Sequence, residues 1–240
     1  MKLRMAALIA ACVFAPACAD DLRDDDDETV PDAPGDNSGD DDSQGSDDGD
    51  GDGDESPIVT TEHGDGTYTS RVKATATDEW VYLNLEDGQV VPGDSSDWDL
   101  AFRRFAIKLN GGVSGAGDAA LAMLDEGDFD AMSVAPASEY VSDEPDATDD
   151  EDDEPELAFL TLGEGWYDYN PTTHVLTAKP RVYFVRSAQG GFFKLQMLDY
   201  YDDAGTSGFP TFGWGAIAAP EEGFAAPSSS VELAQNGGIQ

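Results

Sequence analysis

The sequence predicts an all-β domain of antiparallel strands behind a disordered acidic N-terminal tether, and three observations predict it. The first is the pair of segments Arg181 to Arg186 and Phe192 to Leu198. Val182 and Phe184 share one face of the first segment, Phe193, Leu195 and Met197 share one face of the second, and Ser187-Ala188-Gln189-Gly190-Gly191 joins them. Period two on both sides of a glycine-bearing turn is the signature of a β-hairpin. The second is Asp97 to Gly112, where Trp98, Leu100 and Phe102 have one parity and Phe105, Ile107 and Leu109 the other. The apolar face therefore changes sides around Arg103 and Arg104, as at a bulge or bend between two strand halves. Trp98, Phe102, Phe105 and Leu109 also satisfy part of a helical spacing, but the aromatic content and the stop at Asn110-Gly111-Gly112 favour strand. The third is charge: 51 Asp and Glu against 12 Lys and Arg, a formal net charge of -39, much of it in two low-complexity blocks that contain little to bury.

Residues 1–17 read as a lipoprotein signal peptide. Lys2 and Arg4 form a basic start, Met5 to Phe14 a short apolar run, and small residues precede a cysteine. The run is too short to span a bilayer as a helix. Cys12 and Cys18 are the only cysteines. Ile9-Ala10-Ala11-Cys12 is closer to a lipoprotein cleavage box, whereas Ala15-Pro16-Ala17-Cys18 uses the whole apolar run and leaves a polar mature end. Cys18 is the preferred lipidation site and Cys12 the alternative, with an ordinary secreted protein as the competing reading. A secreted domain without disulfides must be held together by its core.

Residues 18–57 read as the tether. Asp20 to Ser56 holds 18 acidic residues against the single basic Arg23, so ordering it has no offsetting burial. Fully extended it reaches on the order of 120 Å. Asp48, Asp50, Asp52, Gly53 and Asp54 match the first half of an EF-hand loop, but Val59 stands where the bidentate Glu belongs, which leaves counter-ion condensation as the default.

The β-rich domain is expected over residues 58–225, with a frayed tail at 226–240. Thr67 to Thr77 alternates weakly, as an edge strand does. Trp80 to Leu85, the turn Glu86-Asp87-Gly88-Gln89 and Val90-Val91 read as strand, turn, strand. Beyond Gly112, Asp118 is placed to cap a short helix over Ala119 to Leu124, and Gly127 to Tyr140 is irregular. Residues 141–156 carry ten carboxylates and no basic residue, and read as a disordered acidic loop within the domain. Leu157 to Leu162 is a short apolar run, Trp166 to Tyr169 an aromatic cluster closed by Asn170-Pro171, and His174 follows. After the hairpin, Gly205 to Gly215 is a turn-rich segment with Phe209, Phe212 and Trp214.

The chain is not expected to be an enzyme. The domain has no cysteine and the chain only two histidines, His63 and His174, neither in a nucleophile motif. Nucleic acid is excluded as a partner by the charge, and a zinc site by the shortage of Cys and His.

Asp97-Trp98-Asp99-Leu100-Ala101-Phe102-Arg103-Arg104 followed by Asn110-Gly111-Gly112 resembles the signature of the HmuY family of bacterial haem-binding surface lipoproteins. The similarity extends through Trp80 to Leu85, Tyr183 to Arg186 and Phe192 to Leu195, and covers about Thr75 to Tyr201. The resemblance implies an HmuY-like antiparallel architecture with a haem cleft, lipid-anchored at the outer membrane or cell surface. It also implies capture of haem and its delivery to an outer-membrane haem receptor. Haem needs one or two axial side chains and an apolar cleft. His174, beside Tyr167 and Tyr169, is the candidate axial ligand, while Met123 and Met132 are candidates for a second; a five-coordinate site or a homologue without haem remain open. His63 lies outside the similar region. The alternative function is a non-catalytic surface module for a protein or glycan partner, using Trp166, Tyr167 and Trp214 as exposed aromatics.

Overall fold

A computed structural model describes residues 56–147 and 154–227. The signal peptide, Cys12 and Cys18, the tether up to residue 55 with its EF-hand-like half, the centre of the acidic block at 148–153, and the tail from 228 lie outside the described residues.

The described strands are β1 (Ile58–Glu62), β2 (Thr67–Val72), β3 (Val81–Asn84), β4 (Gln89–Val91), β5 (Leu100–Arg103), β6 (Ala106–Leu109) and β7 (Ala120–Leu124). They continue with β8 (Tyr167–Asn170), β9 (Val175–Ala178), β10 (Val182–Arg186), β11 (Phe192–Tyr201) and β12 (Ser207–Ala216), and the one short α-helix described, α1, is Ala158–Thr161. One sheet has the order β1-β2-β12-β11-β10-β7, a second β4-β3-β5-β6, and β8-β9 form a separate hairpin. All these strand pairs are antiparallel.

The expected hairpin of β10 and β11 is present, and its register sets Tyr183 opposite Leu195 and Val185 opposite Phe193. Both faces of β10 are buried, against different clusters. Tyr183 and Val185 join the main core with Leu83, Leu100, Phe102, Ile107 and Leu109 of the second sheet. Val182 and Phe184 face a smaller cluster with Ala120, Ala122 and Tyr140. Phe102 stacks on Phe212 at 5.3 Å between ring centres, which joins the two sheets. Burying such a ring stabilises by about 1.5–3 kcal/mol.

At Arg103 and Arg104 the chain reverses completely. β5 and β6 pair as Leu100 with Leu109, Phe102 with Ile107 and Arg103 with Ala106. Directly paired residues share a face, and here each pair joins one even and one odd position, so the apolar parity must invert across the turn. Arg104 adopts φ 55° in that turn. Its N–H donates to Ala74 O at 2.8 Å and its guanidinium to Ser207 Oγ at 3.0 Å.

Further expectations are corrected, among them the turn-rich reading of Gly205 to Gly215, most of which is strand β12, paired with β11 and β2. Ala119 to Leu124 contains no helix: Ala120 to Leu124 is β7, paired with β10 from Leu124–Val182 to Ala120–Arg186. A six-residue helix is marginal alone, whereas the ladder pairs its backbone and buries Leu121 on one face and Ala120 and Ala122 on the other. Residues 67–72 are not an edge strand, because β2 lies between β1 and β12. The acidic block is not disordered at its flanks. Val141 exchanges two backbone hydrogen bonds with Leu121, and Glu144 does so with Glu156. The Asp143 carboxylate is buried, accepting from Leu109 N at 3.0 Å and Ala158 N at 2.8 Å. Gly112 has φ 63°, and a Cβ there would collide with the Asp143 carbonyl, so the predicted glycine stop is a close crossing of two chain segments.

Candidate functional site

His174 stands in the loop between β8 and β9, and the loop sequence explains its shape. Asn170 Oδ1 accepts from the N–H of Thr172 at 2.9 Å and of Thr173 at 3.2 Å, while the Asn170 carbonyl accepts from His174 N at 2.8 Å. An asparagine side chain copying a backbone turn in this way favours such loops, and Pro171 presets its own φ. His174 then falls at φ 58°, a conformation that glycine or asparagine adopts more cheaply. Its imidazole is exposed, and Nδ1 lies 2.6 Å from the Tyr169 hydroxyl. Among the described contacts, none engages Nε2.

The base of this hairpin is fixed while its tip is open. Trp166 is fully buried and its Nε1–H donates to Phe105 O at 2.9 Å, which ties the hairpin to the β5–β6 turn. Leu176 N donates to the Tyr201 hydroxyl at 2.9 Å, and Lys179 Nζ to Glu164 O at 2.7 Å. Burial pushes the Tyr167 and Tyr200 phenols above their usual range. Phe105, Tyr169 and Val175 remain exposed. The outcome is an imidazole on a braced arm, flanked by solvent-facing aromatic and aliphatic surface.

The sequence candidates are not brought together. Met123 lies on β7 opposite Tyr183, its thioether against Gly163, packed on the main core. Met132 packs on the smaller cluster and lines a cavity of about 360 Å³ with Lys194, Asp130 and Ile217. His63 is exposed between β1 and β2, with Nε2 2.8 Å from Thr69 Oγ1. Trp166 and Trp214 are core residues, at 0% and 3% exposure, so neither is available as the exposed aromatic that the alternative function required. Trp214 stacks on Tyr68 and gives its Nε1–H to Ser70 Oγ.

Two groups escaped the sequence reading. Lys194, in the alternating run Phe193-Lys194-Leu195, is buried with its ammonium 2.8 Å from Phe129 O and over the Phe129 ring. Asp99 is fully buried within the motif and accepts from Leu85 N and Ala188 N, each at 2.7 Å. Desolvation raises the Asp99 pKa to about 6 against those two hydrogen bonds. A charged residue within an otherwise apolar run is the only signal that pointed to either. Among the described residues no group of three or more His, Cys, Asp or Glu is placed to hold a metal ion, and no helix is long and apolar enough to cross a membrane.

Among solved structures, the chain is similar to a candidate lipoprotein of Bacteroides fragilis, with 20% identity and a TM-score of 0.51 over 66% of this chain and 94% of that one. It is also similar to a protein of Bacteroides vulgatus described as a candidate HmuY-like haem-binding protein, with 18% identity and a TM-score of 0.48 over 67% and 97%. An apo HmuY analogue of Tannerella forsythia gives 18% identity and a TM-score of 0.49 over 67% and 96%. No curated protein matches the chain significantly. At these identities the first likeness speaks for the fold alone. The HmuY protein family itself matches residues 76–214, the span from just before β3 to near the end of β12 with the His174 hairpin inside it, and since that is more than half of the 240 residues the chain belongs to the HmuY family.

Proposed function

We propose that this protein binds haem, with His174 Nε2 as an axial ligand, while anchored by a lipid at Cys18 and held off the membrane by residues 18–57. The observation that carries the reading is His174 itself: an exposed imidazole at a strained φ of 58°, in a loop shaped around it, with one ring nitrogen engaged and the other open. A non-glycine residue kept in that conformation points to a use for its side chain. Haem, when bound, supplies an iron that takes an imidazole nitrogen as axial ligand.

The donor chemistry fits one axial position, on an exposed hairpin surface and not in the enclosed apolar cleft that the resemblance implied. The hairpin offers one imidazole and the apolar surface of Tyr169 and Val175 beside it, and Met123 and Met132 lie in other surroundings. A five-coordinate site is therefore the arrangement this set supports. The acidic chain repels the propionates of haem, so affinity has to come from the iron bond and ring contacts. Family membership supports a binding role and not a catalytic one, and the anchor makes transfer to an outer-membrane haem receptor the natural continuation.

A second reading keeps the hairpin as a docking surface for a protein or glycan. Phe105, Tyr169 and Val175 favour it, being 39%, 50% and 41% exposed on adjoining turns and strands. Titration of the purified chain with hemin, alongside His174→Ala, separates the two. A saturable Soret shift that weakens or changes coordination in the variant is expected. An unchanged hemin spectrum would refute haem binding and leave the docking surface. Saturable binding that ignored the substitution would refute His174 as the ligand.

A further inference from the structure

The geometry points to Tyr169 as the positioning residue of His174, the group that decides which imidazole nitrogen is offered to iron. The inference rests on the haem reading. Tyr169 is the penultimate residue of β8, and its hydroxyl reaches His174 Nδ1 at 2.6 Å with the ring centres 6.1 Å apart. The backbone of His174 is set independently by the Asn170 turn, so the ring is fixed from two sides.

A neutral imidazole carries one N–H, and the nitrogen without it is the only one able to bind a metal. The Tyr169 hydroxyl can give its proton to Nδ1 or take one from it; the positioning role requires the second arrangement, in which the Tyr169 oxygen accepts, the proton stays on Nδ1 and the Nε2 lone pair faces outward. Ligating histidines generally hold their other N–H in such a bond, which fixes tautomer and orientation. The neighbouring side chains of the hairpin do not substitute for the phenol. Asn170 Oδ1 is spent on Thr172 and Thr173, and Leu176, across from Tyr169 in the hairpin, carries no polar side chain. Tyr169 is half exposed, so removing its hydroxyl leaves the core untouched.

The test is Tyr169→Phe in the full chain, read twice. In the ligand-free protein, nitrogen-resolved NMR of His174 should show the Nδ1–H tautomer in the wild type and a shift toward Nε2–H in Y169F. In hemin titrations Y169F should keep an imidazole-type spectrum but bind about 10-fold more weakly, while His174→Ala loses that spectrum. Identical tautomers in wild type and Y169F, or a wild type already in the Nε2–H form, would overturn the positioning role whether or not hemin binds. Loss of the ligand spectrum in Y169F as complete as in His174→Ala would overturn it differently, by making the phenol oxygen the ligand. Failure of hemin to bind the wild type, with the tautomer shift intact, would sink the haem reading and confine Tyr169 to ordering the loop.

Discussion

Replacing Asp99 by Asn should change how stability depends on pH, by an amount that follows from the burial of this carboxyl. Asp99 is fully buried at the junction of the β3 turn, β5 and the β10–β11 loop. Desolvation is the largest influence on it, Glu86 and Asp87 add repulsion, and the two backbone donors only partly compensate, leaving a pKa of about 6 against an ordinary 3.8. The folded state thus binds the Asp99 proton more tightly than the unfolded state. Between pH 4 and 6 the native protein holds more proton at this site, so Asp99 makes folding less favourable as pH rises through that window and has no further effect above it. Two pKa units at about 1.4 kcal/mol each come to about 3 kcal/mol. An asparagine has the same shape but no charge to desolvate, and loses one acceptor, a cost of about 1–3 kcal/mol that does not vary with pH. Urea unfolding of wild type and D99N from pH 4 to 7.5 separates the two contributions. The stability of D99N minus that of the wild type should rise by about 2 kcal/mol between pH 4 and 6.5, the larger part of that total, then level off. The difference cancels the repulsion among the other carboxylates, which titrate in both proteins. A flat difference, or one that falls with pH, would refute the claim that burial outweighs the hydrogen bonds at Asp99.

Two further predictions concern the backbone. At φ 58° glycine escapes the Cβ penalty, so His174→Gly should be about 1 kcal/mol more stable than His174→Ala in urea unfolding, although both lose the imidazole; equal stabilities would mean that the loop is unstrained. Gly112→Ala combines a positive φ with a Cβ driven into the Asp143 carbonyl, and should cost on the order of 3 kcal/mol by the same measurement. A loss below about 1 kcal/mol would show that the two segments can separate without harm.

The sequence carried the strand character, the hairpin at Arg181 to Leu198 and the family, because these rest on near neighbours in the chain. Period two records which side chains share a face, and a motif records which residue types follow one another. The parity change at Arg103 and Arg104 was legible in the same way, yet alternation alone does not distinguish a bulge from a full reversal. That was decided by the pairing of Leu100 with Leu109, which gives the β6 backbone a partner only if the chain turns back. Ala119 to Leu124 was misread for a related reason. Alanine suits a helix in isolation, whereas here small side chains on one face of β7 make room for Tyr140 and Phe184, and no local pattern announces them.

The site divides along the same line. His174 was visible because the similar region holds no other histidine. Its loop conformation and the Tyr169 contact depend on hairpin pairing, and the separation of Met123 and Met132 from it depends on which cluster each packs against. Asp143, inside a block of ten carboxylates, and Trp166, inside an aromatic cluster, look like their neighbours in the sequence. Both are buried, because the groups that stabilise them come from residues distant in the chain: Leu109 N for Asp143, and Phe105 O for Trp166. The residues by themselves determined what could pair, what could bury and what could ligate. Tertiary structure alone decided which carboxylate left water and which aromatic stayed in it, since desolvation is set by what the rest of the chain packs around a group.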